Sequence, residues 1–279
     1  MSEKTHEFTC TGPIEAEVVL GAGDIIVSTT DALVATVVVR SRDGRDASVE
    51  AVEQTRVEFD HDRLTVHAPD HRGWSLRWGT GQLQIELTLP HDSALRTIGG
   101  STDVRQTGRL GRFDAKTGSG DVTLAETSGP VHVESGSGDV RAQTVGGDLG
   151  VHTASGDVSV SRVVGELTVK AASADVRIDE ALGQVRVNTA SGDVQVGAIR
   201  GAGLQVNSAS GDVVVGVPIG TRVWLDLSTL SGSTRSDLEM SGTAPTGPTD
   251  GPTTSVQVRT MSGDVHIRRV GSRSDVPQT

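Results

Sequence analysis

GRFDAKTGSGDVTLAETS (111–128), GPVHVESGSGDVRAQTVG (129–146), GDLGVHTASGDVSVSRVV (147–164), GELTVKAASADVRIDEAL (165–182) and GQVRVNTASGDVQVGAIR (183–200) are five consecutive blocks of eighteen residues with one shared pattern. Each opens with Gly, and each carries Ser-Gly-Asp-Val or, from Ser173, Ser-Ala-Asp-Val. The tetrapeptide begins at Ser119, Ser137, Ser155 and Ser191 inside the blocks and returns at Ser210 and Ser262 outside them. Self-similarity at a fixed short period is the signature of a repeat architecture, in which one unit cannot bury its apolar face without a neighbour.

Within the unit the apolar residues occupy positions 3, 5, 12 and 14, as in Phe113, Ala115, Val122 and Leu124 or Val131, Val133, Val140 and Ala142. That is the period-two alternation of two short half-buried strands. Thirteen of these twenty sites are Val, a β-branched residue suited to strands and mediocre in helices, so helical repeats are excluded. Positions between them are polar, among them Arg112, His132, Lys170 and Gln195, which gives each strand one dry and one wet face. An antiparallel meander shares the alternation. Val over Val and Asp over Asp at a strict period favours in-register stacking instead. The expected fold is all-β, a single-stranded β-solenoid (β-helix) of about seven 18-residue coils with irregular β caps at both ends, some 34 Å long at ~4.8 Å per coil.

Outward from the blocks the pattern loosens. A degenerate unit precedes them at Ser93–Leu110, and one with an inserted residue follows from Gly201. The expected organisation is an N-terminal β cap with the first irregular coils (1–92), the regular solenoid (93–219), C-terminal coils (220–270) with a Pro/Gly-rich excursion at 241–253, and a disordered tail (271–279). Strands are expected in the cap at Ile14–Leu20, Asp24–Val27, Leu33–Arg40, Val49–Phe59, Leu64–Ala68 and Leu83–Leu89.

The composition narrows the function classes. With 25 basic against 36 acidic residues the net charge is -11, which argues against nucleic acid as a partner. Three Phe, three Trp and no Tyr argue against an aromatic-lined pocket as the working part. The single Cys10 permits neither an intramolecular disulfide nor a cysteine zinc cluster. The polar opening MSEKTHEFTC and the absence of a long apolar run lead to the expectations of no membrane insertion and a cytoplasmic address. No cofactor is expected.

Four groups of residues carry candidate chemistry. Asp103, Asp121, Asp139, Asp157, Asp175, Asp193 and Asp212 form a column of carboxylates one coil apart, neighbours repelling by about 1 kcal/mol in water. Calcium at Asp121, Asp139, Asp157, Asp175 and Asp193 would offset that repulsion. The calcium β-roll, however, needs Gly-Gly-x-Gly-x-Asp at both turns, and here only one turn per coil carries the Asp. The preferred reading is a structural turn ladder of Ser119, Gly120, Asp121, Gly138, Asp139, Gly156, Asp157, Asp175, Gly192, Asp193, Gly211, Asp212 and Asp264, with no metal assigned. In it Gly supplies positive φ, Asp accepts backbone N–H bonds and Ser caps locally. Asp60, His61, Asp62, His67, Asp70, His71, His91 and Asp92 make a His-acid cluster, but adjacent strand residues point to opposite faces and cannot all converge. A Ser repeated in six equivalent turns is a structural element, so no catalytic residue is assigned. Trp74 and Trp78 in DHRGWSLRWGTGQ (70–82) either anchor a partner or cover the end of the core, the role also expected of Phe113 and Trp224.

The order LTLPHDSALR (87–96), the Ser-Gly-Asp-Val units, VPIGTRVWLDLSTLSGS (217–233) and RTMSGDVHIRR (259–269) resembles the bacterial adhesin-like β-strand-repeat family of unknown function, over nearly the whole chain. The resemblance implies a right-handed β-solenoid without known catalysis, and some relatives are accessory proteins of cell-envelope stress signalling. Relatives often carry a membrane anchor or a helical companion segment, and neither is expected here. The function expected is a non-enzymatic scaffold or interaction module with an unidentified protein partner, with homo-oligomer formation left open. The alternatives are a calcium-stabilised adhesive surface module and a carbohydrate-active β-helix enzyme, the latter weakened because five consecutive coils carry no loop insertion.

Overall fold

The computed structural model describes residues 3–69, 82–201, 203–238 and 253–271. The chain runs β1 (Glu3–Thr9), β2 (Glu15–Thr30), β3 (Val34–Ser41), α1 (Asp46–Gln54), β4 (Arg56–Asp60), β5 (Arg63–His67), β6 (Leu83–Pro90) and β7 (Ala94–Leu110). The repeat follows as strand pairs: β8 (Phe113–Thr117) with β9 (Val122–Thr127), β10 (Val131–Ser135) with β11 (Val140–Val145), and β12 (Leu149–Ser155) with β13 (Val158–Val163). Next come β14 (Leu167–Ser173) with β15 (Val176–Ala181), β16 (Val185–Ser191) with β17 (Val194–Ile199), and β18 (Gly203–Ser210) with β19 (Val213–Pro218). The last are β20 (Arg222–Ser231), β21 (Thr234–Ser236), β22 (Thr253–Ser262) and β23 (Val265–Val270).

Stacking is parallel and in register, one period at a time. Val131 pairs with Leu149, which pairs with Leu167, and Val140 pairs with Val158, which pairs with Val176. The first strand of each coil builds one ladder and the second builds another, as a solenoid requires and a meander forbids. Each strand buries the residues at unit positions 3, 5, 12 and 14: Val133, Val151, Val169 and Val187 are all fully buried, as are Val140 and Val196. Two further columns join the core. Position 17 contributes Val145, Val163, Ala181 and Ile199, and position 7 contributes hydroxyls, Thr117, Ser135, Thr153 and Thr189.

The stack extends beyond the regular blocks at both poles, and there the order along the rod departs from the order along the chain. At the N-terminal pole β7 lies under β8 and β9; β2 lies on β7, and β5 and β6 lie on β2, all parallel. β3 then adds antiparallel to β6, β1 antiparallel to β3, and β4 antiparallel to β5. At the C-terminal pole β22 and β23 stack on β18 and β19, and β20 and β21 stack outside them. The chain therefore skips a layer after Pro218 and returns to fill it.

The cap departs from expectation at three places: β1 adds a strand at Glu3–Thr9, the expected Ile14–Leu20 and Asp24–Val27 are one continuous β2, and a helix replaces part of an expected strand. Val49–Phe59 is not one strand: Asp46–Gln54 is α1, and β4 begins at Arg56. Val49-Glu50-Ala51 mimics the start of a strand, but Ser48, Ala51 and Val52 are the buried residues, the i, i+3, i+4 face of a helix, with Asp46 in the first turn where negative charge is favourable.

Candidate functional site

The aspartate column is a hydrogen-bonded chain running along the rod. Oδ1 of Asp103 accepts the backbone N–H of Asp121 at 3.0 Å, Asp121 that of Asp139 at 2.9 Å, and Asp139 that of Asp157 at 2.9 Å. Asp157 accepts from Asp175 at 3.0 Å, Asp175 from Asp193 at 2.8 Å, and Asp193 from Asp212 at 2.8 Å. The chain then follows space rather than sequence: Asp212 accepts from Asp264, and Asp264 from Ser233, both at 2.8 Å. The acceptor role expected of these residues is present, but each carboxylate reaches the next coil instead of closing its own turn. The Ser233 N–H holds the Asp264 carboxyl below its ordinary range. Arg141 lies 2.7 Å from Asp139 and 3.7 Å from Asp121, placing a cation against the column.

The other members of the turn ladder differ in their reasons. Gly192, Gly211 and Gly263 have φ of +119°, +128° and +132°, as expected. Gly120, Gly138 and Gly156 do not have positive φ; a Cβ on Gly138 would sit 1.9 Å from the carbonyl oxygen of Gly120 in the coil beneath, so close stacking selects glycine there. In the first two coils the local cap is made by position 7 and not by the repeated Ser: the backbone N–H groups of Gly120 and Gly138 donate to Thr117 Oγ1 at 3.1 Å and Ser135 Oγ at 2.9 Å, while Thr189 Oγ1 donates to the carbonyl oxygen of Ser191 at 2.8 Å. Ser119 is exposed and its hydroxyl meets that of Ser101. The hydroxyl column was the missed element, and Thr, Ser, Thr, Thr at Thr117, Ser135, Thr153 and Thr189 was its signal.

The His-acid cluster is dispersed. Asp60, His61 and Asp62 form the tip between β4 and β5, with His61 and Asp62 in the left-handed region at φ of 48° and 57°. Asp60 lies 2.7 Å from His61 and holds its imidazole above the ordinary value. Asp62 accepts the hydroxyl and the backbone N–H of Thr11, which pull its carboxyl down. His67 meets Glu17 at 3.5 Å. His91 Nδ1 lies 2.8 Å from Thr29 Oγ1, with Asp31 at 3.5 Å on its other nitrogen. Asp92 accepts Ser128 Oγ at 2.7 Å and two Arg109 N–H groups, and the Ser128 bond leads in lowering its carboxyl. Asp62 and Asp92 thus tie their turns to neighbouring segments, whereas Asp60 pairs within its own tip. Asp70 and His71 lie outside the described residues, as do Trp74, Trp78, most of the 241–253 excursion and the tail beyond Gly271. Among the described residues no group of three or more His, Cys, Asp or Glu side chains converges as a metal site.

The outward faces are long and polar. On the first ladder His132 and His152 meet edge to face at 5.5 Å, Lys116 pairs with Glu134 at 2.9 Å, and burial with nearby Lys170 pushes the His152 imidazole down. On the second, a surface groove of about 990 Å³ is lined by Arg162, Arg177, Asp179, Glu180 and Arg200, whose charges pair with one another. At the poles, Phe113 is fully buried inside the rod, whereas Trp224 is 57% exposed on the outer face of β20; Trp224 does not cover the core. Cys10 is buried in the N-terminal cap, where burial pushes its thiol up. Among the described residues no helix is long and apolar enough to cross a membrane.

Residues 22–268 match the Toastrack DUF4097 family. No curated protein matches the chain. Among solved structures it is similar to a candidate adhesin from Bacteroides fragilis (11% identity, TM-score 0.48, 96% of this chain and 97% of that one). It is also similar to a candidate lipid-binding protein from Parabacteroides distasonis (15% identity, TM-score 0.44, 96% and 97%) and to a candidate adhesin from the same species (12% identity, TM-score 0.37, 96% and 97%).

Proposed function

The chain belongs to the Toastrack DUF4097 family, and from that premise we infer that it is a non-enzymatic β-solenoid scaffold that engages a protein partner. The observation that carries this reading is the use made of the repeated acids. Each repeat aspartate of the column from Asp103 to Asp212, and Asp264 after them, accepts a backbone N–H of the adjacent coil. The column that most resembles a reactive array therefore holds coils in register. What the regular coils present outward are two charged faces whose spacing is fixed by the ladder, a geometry suited to recognising an extended protein surface. The family resemblance supports a partner from cell-envelope stress signalling.

Photo-crosslinking residues placed at Lys170 on one face and at Arg177 on the other, in the full chain expressed from its own locus, test the reading. One face is expected to trap a specific protein and the other not. Trapping from neither face, or polysaccharide turnover that two substitutions within one groove abolish, overturns it.

A further inference from the structure

The two poles of the rod are finished differently. At the N-terminal pole the outermost strands β1 and β4 carry Glu3, Glu7, Arg56, Glu58 and Asp60 on exposed positions, the charge pattern that keeps a sheet edge from pairing. At the C-terminal pole β20 reads Arg222-Val-Trp-Leu-Asp-Leu-Ser-Thr-Leu-Ser231. Among the described residues it pairs on one side only, with β22. Leu225 and Leu227 continue the core columns of Val256 and Val258, which are fully buried one layer inside, yet both remain partly exposed because their columns end there. On the outer face Trp224 is 57% and Leu230 is 82% exposed.

We propose that the β20 edge is a docking site for a second copy of this chain, the two rods joining tail to tail about a two-fold axis. This rests on the reading of the chain as an interaction module and names one of its partners. A strand that pairs with its own copy about a two-fold axis runs antiparallel to it. Leu225 and Leu227 enter a shared core only where residue numbers of opposed pairs sum to an even value, because strand side chains alternate. Placing Asp226 on the axis would set two carboxylates face to face, a destabilising pair. With Leu227 on the axis instead, Trp224 lies opposite Leu230 of the second copy, twice over, and Asp226 lies opposite Ser228. That register covers both exposed apolar side chains and opposes no like charges. The net charge of -11 disfavours contact between copies elsewhere, whereas here Arg222 and Arg235 balance Asp226 and Asp237. The charged edges of the other pole stop the assembly at two.

The test is light scattering and sedimentation of the full chain across concentration, with the variant carrying Trp224→Arg and Leu230→Arg together. The full chain is expected at the mass of two chains and the variant at one, with the same cooperative melt. Because Cys10 is buried, introduced thiols report the register: a Trp224→Cys chain mixed with a Leu230→Cys chain is expected to give disulfide-linked pairs under oxidation, and each alone none. A full chain that stays monomeric at every concentration overturns the proposal. So does a dimer that survives the double variant, or a monomer that dimerises only when residues 240–251 are deleted, which would give the edge to the chain's own segment. A monomer that still traps a protein from one polar face loses this proposal and keeps the proposed function; a dimer that traps none does the reverse.

Discussion

Asp157 is acceptor for the N–H of Asp175 and donor of its own N–H to Asp139, so one residue type repeated at one position links each coil to two others. Removing the acceptor with Asp157→Ala should cost about 1 kcal/mol, the net worth of one hydrogen bond, read as a melting shift of roughly 2–4 °C. Asp157→Asn keeps an oxygen in place and relieves repulsion, so its melt should match or exceed the parent's; a loss equal to that of Ala would show that the charge itself is needed. Acid titration separates two further residues. Burial holds the His152 imidazole below its ordinary 6.5, with His132, Glu134 and Lys170 around it, so the unfolded chain takes up that proton first. Stability from His152 is full above 6.5 and declines as pH falls below it, and His152→Gln should flatten that window in denaturant titrations. Asp92, held down by Ser128 and Arg109, contributes above its ordinary 3.8 and loses that contribution as pH falls further. Asp92→Asn should flatten only the acid end.

The strands were legible because Val at fixed positions leaves one periodicity to fit, and Val140, Val158 and Val176 stack as their column reads. Two things were hidden from such a reading. The helix α1 sits in a nine-residue segment in which Val49 and Ala51 fit period two while Ser48, Ala51 and Val52 fit 3.6, and packing against β3, β1 and β6 decides between them. The glycines that open each unit also lack a visible reason in one dimension, since a bend and a close approach select the same residue. The coil beneath supplies the answer: a Cβ on Gly183 would lie 1.9 Å from the carbonyl oxygen of Gly165, and on Gly12 it would meet nothing within 4 Å. Gly183→Ala is therefore expected to lose about 1–3 kcal/mol, the usual cost of overpacking, and Gly12→Ala to stay within about 0.5 kcal/mol, both measured by urea denaturation. Equal effects would remove the close-stacking explanation.

At the scale of the whole rod, the order of coils in space cannot be read from a period, because any coil of matching length could follow Pro218. The chain instead places Arg222–Ser236 outermost and Thr253–Val270 directly on Gly203–Pro218. Thr254 Oγ1 donates to the carbonyl oxygen of Gly201 at 2.9 Å, and Ser255 pairs with Gly203; Thr253 thus occupies the place that residue 220 would hold in an uninterrupted coil. Deleting 220–252 and joining Ile219 to Thr253 should restore the regular connection and remove one terminal layer. In a stack whose stability is a sum over neighbouring repeats, that variant should fold, unfold in one transition and lose only the contribution of an end coil. Deleting 253–270 removes an inner layer and leaves β20 and β21 without the ladder they pair with, so the same measurement should show a larger loss of β signal and a broadened melt. If both deletions behaved alike, the spatial order of the last two coils would have no energetic consequence, and the extra chain that fills a layer out of sequence would be free to sit in either place.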